Sequence, residues 1–438
     1  MATARAGYPG MATGIGRRSW SVDLLRVGSI AVVVVVHWIS IRVTVSGGTV
    51  RGDAALHGRP IWVATWLLQV MPLFFLAGGF ANTLIVDRWR AQGGTLGTYL
   101  GQRARRLTTP MVALITVLAP VVWLLRIDSE QLARTAAHVI ASPLWFLAVY
   151  LLATAAAPFA VRMHDRSAWL LPVALLGCSL LVDAARFGGA GYLAEWNLIF
   201  VWLFCHQLGI MHARTLFRDV PDAALFGFAL LASAALAVLV FAGPYPPTMF
   251  GLADAQVSNL APPTTAVSVL AAIQFAVFTA LDRRVAGWEP RGRPRRVIAY
   301  VVARLMTIYL WHVPVIAMVT GAALLTPAPL LPSDPRTWWL TRPLWILGCG
   351  IVLAGVVRAA TGWDLFCARY AARTSSAATL TGALLAAGSV YLIWRDGLFP
   401  VGTTGLAILG VFAAAALLTT TRRVAPLPKL ADDRTSSA

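Results

Sequence analysis

The stretch DLLRVGSIAVVVVVHW, Asp23–Trp38, sets an arginine and a histidine into an otherwise apolar run. Arg26 and His37 stand eleven positions apart. A helix turns once per 3.6 residues, so the two return to one face about 16 Å apart. Arg26 sits about one turn inside the run, where snorkelling to the headgroups accounts for it as well as a functional role does. His37 lies behind Ala31–Val36, about 24 Å along a helix of about 30 Å, too deep for that explanation. Either an interhelical hydrogen bond or chemistry requires it there. Asp23, one turn before Arg26, is placed either to pair with the guanidinium or to favour the helix start.

The rest of the chain extends this reading. Of 438 residues, 58% are hydrophobic and 12% charged, the mean hydropathy is +0.72, and apolar runs long enough to cross a bilayer recur throughout. The expected fold is an all-α polytopic transmembrane bundle. Its spans fall near 21–43, 61–86, 107–126, 143–161, 168–186, 195–212, 223–242, 262–281, 297–321, 339–357, 376–394 and 401–420. Residues 1–20 form an N-terminal segment, 21–360 a membrane core of about ten helices, 361–424 a C-terminal helical pair and 425–438 a flexible polar tail. The first apolar run is long enough to span and is expected to stay in the protein as helix one.

With the N-terminus inside, cytoplasmic segments hold 25 of the 36 Lys and Arg residues and outer loops hold 9. Because cytoplasmic loops collect basic residues, both ends are expected in the cytoplasm of a multi-pass cell-membrane protein. The net charge of +18 is then mostly topology. No zinc-finger spacing, RNP-like motif or soluble domain points to nucleic acid. Cys178, Cys205, Cys349 and Cys367 lack C-x-x-C spacing and suggest neither a disulfide framework nor a zinc site. No metal-binding cluster is visible.

Two further clusters stand out. After the second span a loop carries Arg88, Arg90, Arg103, Arg105 and Arg106. Arg103 and Arg106 share a face at i,i+3, which suits forked binding of phosphate, although ordinary positive-inside charge explains them too. Gly78 and Gly79 inside that span allow either tight packing or close passage of a ligand. In the ninth span, RLMTIYLWHVPVIA puts His312 at a depth close to that of His37 in a parallel helix, with Tyr309 on the same face and Pro314 freeing a carbonyl nearby. Two histidines at matched depth suggest one shared cavity, and a kinked helix with an interfacial Trp and His is the plainer alternative. His206, Asn197 and Glu195 in the sixth span are weaker signals.

These residues carry a resemblance. The D-x-x-R-x10-H pattern at Asp23, Arg26 and His37, PLFFLAGGF at 72–80, R-x-x-R-L-x-x-P from Arg103 to Pro110, PLWFLAVYLL at 143–152 and YLWHVP at 309–314 together resemble the acyltransferase-3 family of integral-membrane acyltransferases. The likeness is to actinobacterial members without an appended extracellular domain. Many members have Ser-Gly-Phe where this chain has Gly78-Gly79-Phe80, so a role for that serine does not transfer.

The resemblance implies transfer of an acyl group, commonly acetyl, from acyl-coenzyme A to a hydroxyl on a glycan, glycolipid or natural product. Arg103 and Arg106 are expected at the phosphates of the donor, with Arg105, Arg88, Gly78 and Gly79 beside them and Arg26 continuing the positive path inward. His37 is expected to act as base or acyl acceptor, and Tyr309 and His312 to stabilise the oxyanion. Asp23 and Trp145 are expected to support the site. A multi-span transporter of a small polar or anionic solute is the competing class, because intramembrane His and Arg serve solute pathways as well. A non-catalytic envelope scaffold would leave the polar stripe without purpose.

Overall fold

The computed structural model describes residues 18–46, 49–55, 59–249, 257–285, 287–326, 330–332 and 334–423. Most of the N-terminal segment and the tail from 424 lie outside the described residues. Fourteen α-helices follow one another: α1 Trp20–Ser40, α2 Arg59–Leu67, α3 Met71–Ala91, α4 Leu96–Asp128, α5 Glu130–Ala141, α6 Leu144–Arg166, α7 Leu170–Phe187, α8 Asn197–Ala213, α9 Asp222–Phe241, α10 Thr265–Arg284, α11 Gly292–Leu325, α12 Pro335–Cys367, α13 Ser376–Asp396 and α14 Gly402–Leu418. Eleven helical segments among the described residues are long and apolar enough to cross a membrane. The shorter α14 completes the twelve positions expected from hydropathy. The chain is an all-α multi-pass membrane protein.

Helix ends depart from the hydropathy windows where caps and prolines act. α1 starts on Ser19, whose hydroxyl accepts from Val22 N–H, and it stops at Ser40 because Ile41–Ser46 and Thr49–Ala54 form a hairpin. Pro72, at the start of α3, lacks the N–H that a continuing helix needs, so the expected second span breaks between α2 and α3. The largest difference is α4. Thr95 caps it, so the helix starts well before the expected 107, and Arg103, Arg105 and Arg106 ride on the early turns of a helix of 33 residues. At about 1.5 Å per residue it spans about 50 Å, well beyond the roughly 30 Å of a hydrocarbon core.

α1, α3, α4, α6 and α11 surround the centre, and α8 and α10 close it behind α3. α1 packs along α11, and the two run in the same direction from the face that carries the arginines. The C-terminal pair docks directly on this centre: α13 lies on α6 and α4, and α14 packs against α13 and α4. A short ladder between Tyr370–Ala372 and Thr419–Arg423 fastens its two ends together. On the arginine face, Arg214 ties three helices by bonding Asp87 at 2.6 and 2.8 Å and Asp165 at 2.8 Å.

At the α3–α8 crossing the two backbones approach very closely. A Cβ built on Gly79 would lie 1.9 Å from the His206 carbonyl oxygen, and one on Gly209 would lie 1.9 Å from that of Leu76. Helices in lipid gain little from apolar burial against one another, so backbone approach through small residues carries the packing. Gly79→Val is expected to lower the melting temperature of the purified protein sharply, with overpacking costing about 1–3 kcal/mol or more. Gly28→Ala, which meets nothing within 4 Å, is expected to stay near wild type in the same thermal scan.

Candidate active site

His37 and His312 are brought into direct contact. Their ring centroids are 4.9 Å apart and the planes stand at 85°, an edge-to-face pair. The Trp38 indole donates to the His312 carbonyl at 2.9 Å, which locks α1 to α11 at this level. His37 Nδ1 meets the Val33 carbonyl at 2.8 Å, and His312 Nδ1 meets that of Tyr309. A carbonyl only accepts, so each Nδ1 carries the hydrogen and each Nε2 keeps a lone pair. His312 Nε2 is buried with no hydrogen-bond partner. His37 differs: it lies deep in the bundle, yet its ring surface is open.

Tyr309 is buried behind this pair, its centroid 5.4 Å from His312. Its hydroxyl donates to the Pro143 carbonyl at 2.8 Å, so in this structure it anchors the start of α6. Phe146 packs on Tyr309 at 4.7 Å and stacks on Tyr150 at 5.3 Å. Trp145 faces away from the histidines, stacking at 5.0 Å on Trp202.

Below the histidines, a cavity of about 460 Å³ opens towards the face where α1 begins. Arg26, Arg103, Arg105 and Arg106 line it, and Asp364 is the one carboxylate among its lining residues. Arg26, Arg103 and Arg106 are close enough for their charges to repel. Such a cluster is stabilised by an anion among them. Arg26 forms no ion pair or hydrogen bond among the described residues, because Asp23 pairs instead with Arg18 at 2.5 Å. The i,i+3 pairing of Asp23 with Arg26 is therefore corrected, and the guanidinium is left for the cavity.

The remaining arginines divide by what holds them. Arg105 is half committed, donating to the carbonyls of Cys367 and Tyr370 at the end of α12, where helix-terminal carbonyls attract cations. Arg106 is exposed to the cavity. Arg88 is exposed on α3 and is not part of the lining. Neither Gly78 nor Gly79 lines it either. Gly79 serves the α3–α8 crossing, and a Cβ on Gly78 would lie 2.6 Å from the Tyr150 ring, so its missing side chain makes room for Tyr150, which does line the cavity. A serine at 78 would displace that ring.

Sequence reasoning missed the residue that positions Arg103. Arg103 donates to Asn82 Oδ1 at 2.9 Å, and Asn82 Nδ2 lies 3.1 Å from His206 Nε2. Asn82 and His206 are both buried. Asn82 is a polar residue inside an apolar span, which is the signal that could have found it. His206 thereby acts through Asn82 on the cavity wall. The cavity does not reach the histidine pair: Phe74 and Tyr150 form part of its lining, and Phe146 packs between them and Tyr309.

An all-helical membrane bundle with two histidines in contact at its centre and a cavity lined by arginines beside them defines a class of multi-pass membrane protein with a polar interior. A family model described as an acyltransferase domain, Acyl_transf_3, matches residues 19–363, and the chain belongs to that family. The match takes in α1 to most of α12, and α13 and α14 follow it. No curated protein and no solved structure matches the chain.

Replacing Asn82 with Leu would leave Arg103 and His206 each short of a partner. Unsatisfied buried polar groups cost about 1–3 kcal/mol apiece. Asn82→Leu is expected to lower both the thermal midpoint and the affinity for an anionic ligand in the cavity, read by unfolding and by titration of the purified protein.

Proposed function

We propose that this protein moves an acyl group, acetyl being the simplest, from acyl-coenzyme A at the cytoplasmic face to a hydroxyl of a glycan, glycolipid or natural product. The observation that carries the reading is the stacking of two sites along α1. Among the described residues Arg26 has no hydrogen-bond or ion-pair partner in a cluster of arginines at one end, and His37, its Nδ1 on the Val33 carbonyl, leaves Nε2 without a partner about 16 Å further along the same face. Coenzyme A is polyanionic at its nucleotide end and carries its thioester on a long arm, so phosphates held by arginine leave the acyl group to reach inward. The positive-inside distribution of charge supports the reading that the basic cavity faces the cytoplasm, on the side of both termini.

In the transfer, His37 Nε2 takes the proton of the acceptor hydroxyl while its oxygen attacks the thioester carbonyl carbon. The C–S bond then breaks, the thiolate leaves and recovers that proton, and an ester and a free thiol result. An imidazole that is neutral near physiological pH matches this task. In a two-step route the same lone pair would carry the acyl group. Tyr309 and His312 remain the candidates for the oxyanion, and Tyr309 would have to release the Pro143 carbonyl to serve. With Nδ1 bound to a carbonyl, His312 in its present tautomer offers no hydrogen from Nε2, so its donor role requires protonation. As a neutral ring it orients His37 by edge contact.

Changing both Arg103 and Arg106 to Ala is expected to raise the dissociation constant for acyl-coenzyme A in nanodiscs by at least tenfold, since hydrogen bonds between charged groups are worth about 1.5–3 kcal/mol each. An unchanged constant would reduce the cluster to a topological signal.

His37→Ala and Arg26→Ala are expected to fail differently. The first should remove acyl transfer, by about 10²–10⁴-fold, and leave donor binding near wild type. The second should weaken donor binding, and Arg26→Lys should restore only part because an ammonium lacks the planar fork. Wild-type turnover by His37→Ala, measured beside donor affinity, would refute the assignment, and proton-coupled uptake by that variant would favour a transporter.

A further inference from the structure

A second cavity, of about 470 Å³, lies on the other side of Trp145, away from the arginines. It is bounded by α6, the 3₁₀ turn Gly191–Trp196, the start of α8, and α13 from the C-terminal pair. We propose that this cleft binds an amphiphile with one hydrocarbon tail and a hydroxylated head, a glycolipid, and presents it as the acyl acceptor. The acceptor role rests on the acyltransferase reading above, whereas binding itself does not.

The polarity of the cleft changes from end to end. Its mouth holds Tyr192, Glu195 and Trp196, all exposed, and the Tyr391 hydroxyl donates to the Glu195 carboxylate there. A carboxylate beside aromatic faces offers acceptors and flat surfaces to a polyhydroxylated ring. The floor is aliphatic and buried, with Ala148, Val149, Leu198 and Ala387. α6 and α13 run antiparallel, so Leu152 and Leu384 lie about 10 Å further into the membrane than Trp145 and Tyr391. Leu384 is 48% exposed, which opens the cleft sideways where a tail would meet hydrocarbon. A purely polar ligand would leave the floor unused, and a plain alkane would leave Glu195 unused. The volume falls in the range of about 300–1,000 Å³ typical of small-molecule sites.

A chain of ring contacts links the cleft to the histidine pair. Trp145 in its wall contacts Phe146 at 6.1 Å, Phe146 contacts Tyr309 at 4.7 Å, and Tyr309 contacts His312 at 5.4 Å. A head group at this wall is three rings, Trp145, Phe146 and Tyr309, from His312. The C-terminal helices thereby gain a purpose, since α13 supplies one side of the cleft.

The test is photo-crosslinking of the full chain in nanodiscs with an octyl glucoside bearing a diazirine in its tail, mapped by peptide mass spectrometry. Labelling is expected on α6 and α13, competed by unlabelled octyl glucoside and not by glucose or phosphatidylglycerol. Gly388→Phe, whose added side chain grows from a position with nothing within 4 Å of its Cβ, is expected to cut labelling at least tenfold while acyl-coenzyme A affinity stays unchanged. Glu195→Gln, which alters only the mouth, is expected to weaken capture about tenfold, as befits a charged hydrogen bond. Labelling unaffected by either variant would overturn the proposal, as would equal competition by phosphatidylglycerol or displacement by glucose alone. If capture succeeds and Gly388→Phe does not raise the KM of an alkyl glycoside acceptor, the acceptor role is overturned. Absence of any acyl transfer by the wild-type protein would instead count against the acyltransferase reading.

Discussion

The edge contact between His37 and His312, with the Trp38 indole on the His312 carbonyl, is the interaction on which the rest of the arrangement depends. It brings two helices that are 274 residues apart in sequence to one level. Both imidazoles spend Nδ1 on a carbonyl of their own helix. A helical carbonyl cannot rotate away, so the tautomer and the direction of each Nε2 are set by backbone that is already rigid. Two ring nitrogens are thus oriented by backbone carbonyls and not by a carboxylate. That economy suits a hydrocarbon environment, where an extra buried charge is costly.

Charge is handled in the opposite way at the cavity. Several arginines crowd one void with Asp364 as the only carboxylate in its wall, while surplus acids nearby are used elsewhere. Asp23 takes Arg18, and Asp87 and Asp165 take Arg214. Arg103 is held by a neutral amide, Asn82, whose bond fixes its direction and cancels none of its charge. The pattern leaves positive charge uncompensated where an anion would sit. Repulsion among Arg26, Arg103 and Arg106 is tolerable because the long helices α4 and α11 carry the basic end towards water.

Between the two regions stands an aromatic partition built from Phe74, Phe146 and Tyr150. Gly78 makes its geometry possible, since any side chain there would strike the Tyr150 ring. The space that a side chain at 78 would take is filled by Tyr150. The partition also separates the basic cavity from the aromatic cleft beyond Trp145, so the two voids approach the histidines from different sides.

Much of this was legible in the sequence, and the reasons are local. Hydropathy and length identify the long apolar helices because every backbone group in lipid must be satisfied within its own helix. The spacing of Arg26 and His37 follows from helical pitch alone, and the matched depth of His312 follows from counting along a parallel helix. Partnership between side chains distant in sequence was not legible. Asp23 pairs with Arg18, just before the Ser19 cap of α1, and not with Arg26 one turn on. Gly79 was committed to the α3–α8 crossing, and Trp145 was turned away from the histidines, by contacts that no spacing encodes. Asn82 acquired its role only when α3, α4 and α8 met. A helix determines which residues share its face, and only the packing of faces against one another decides which of them meet.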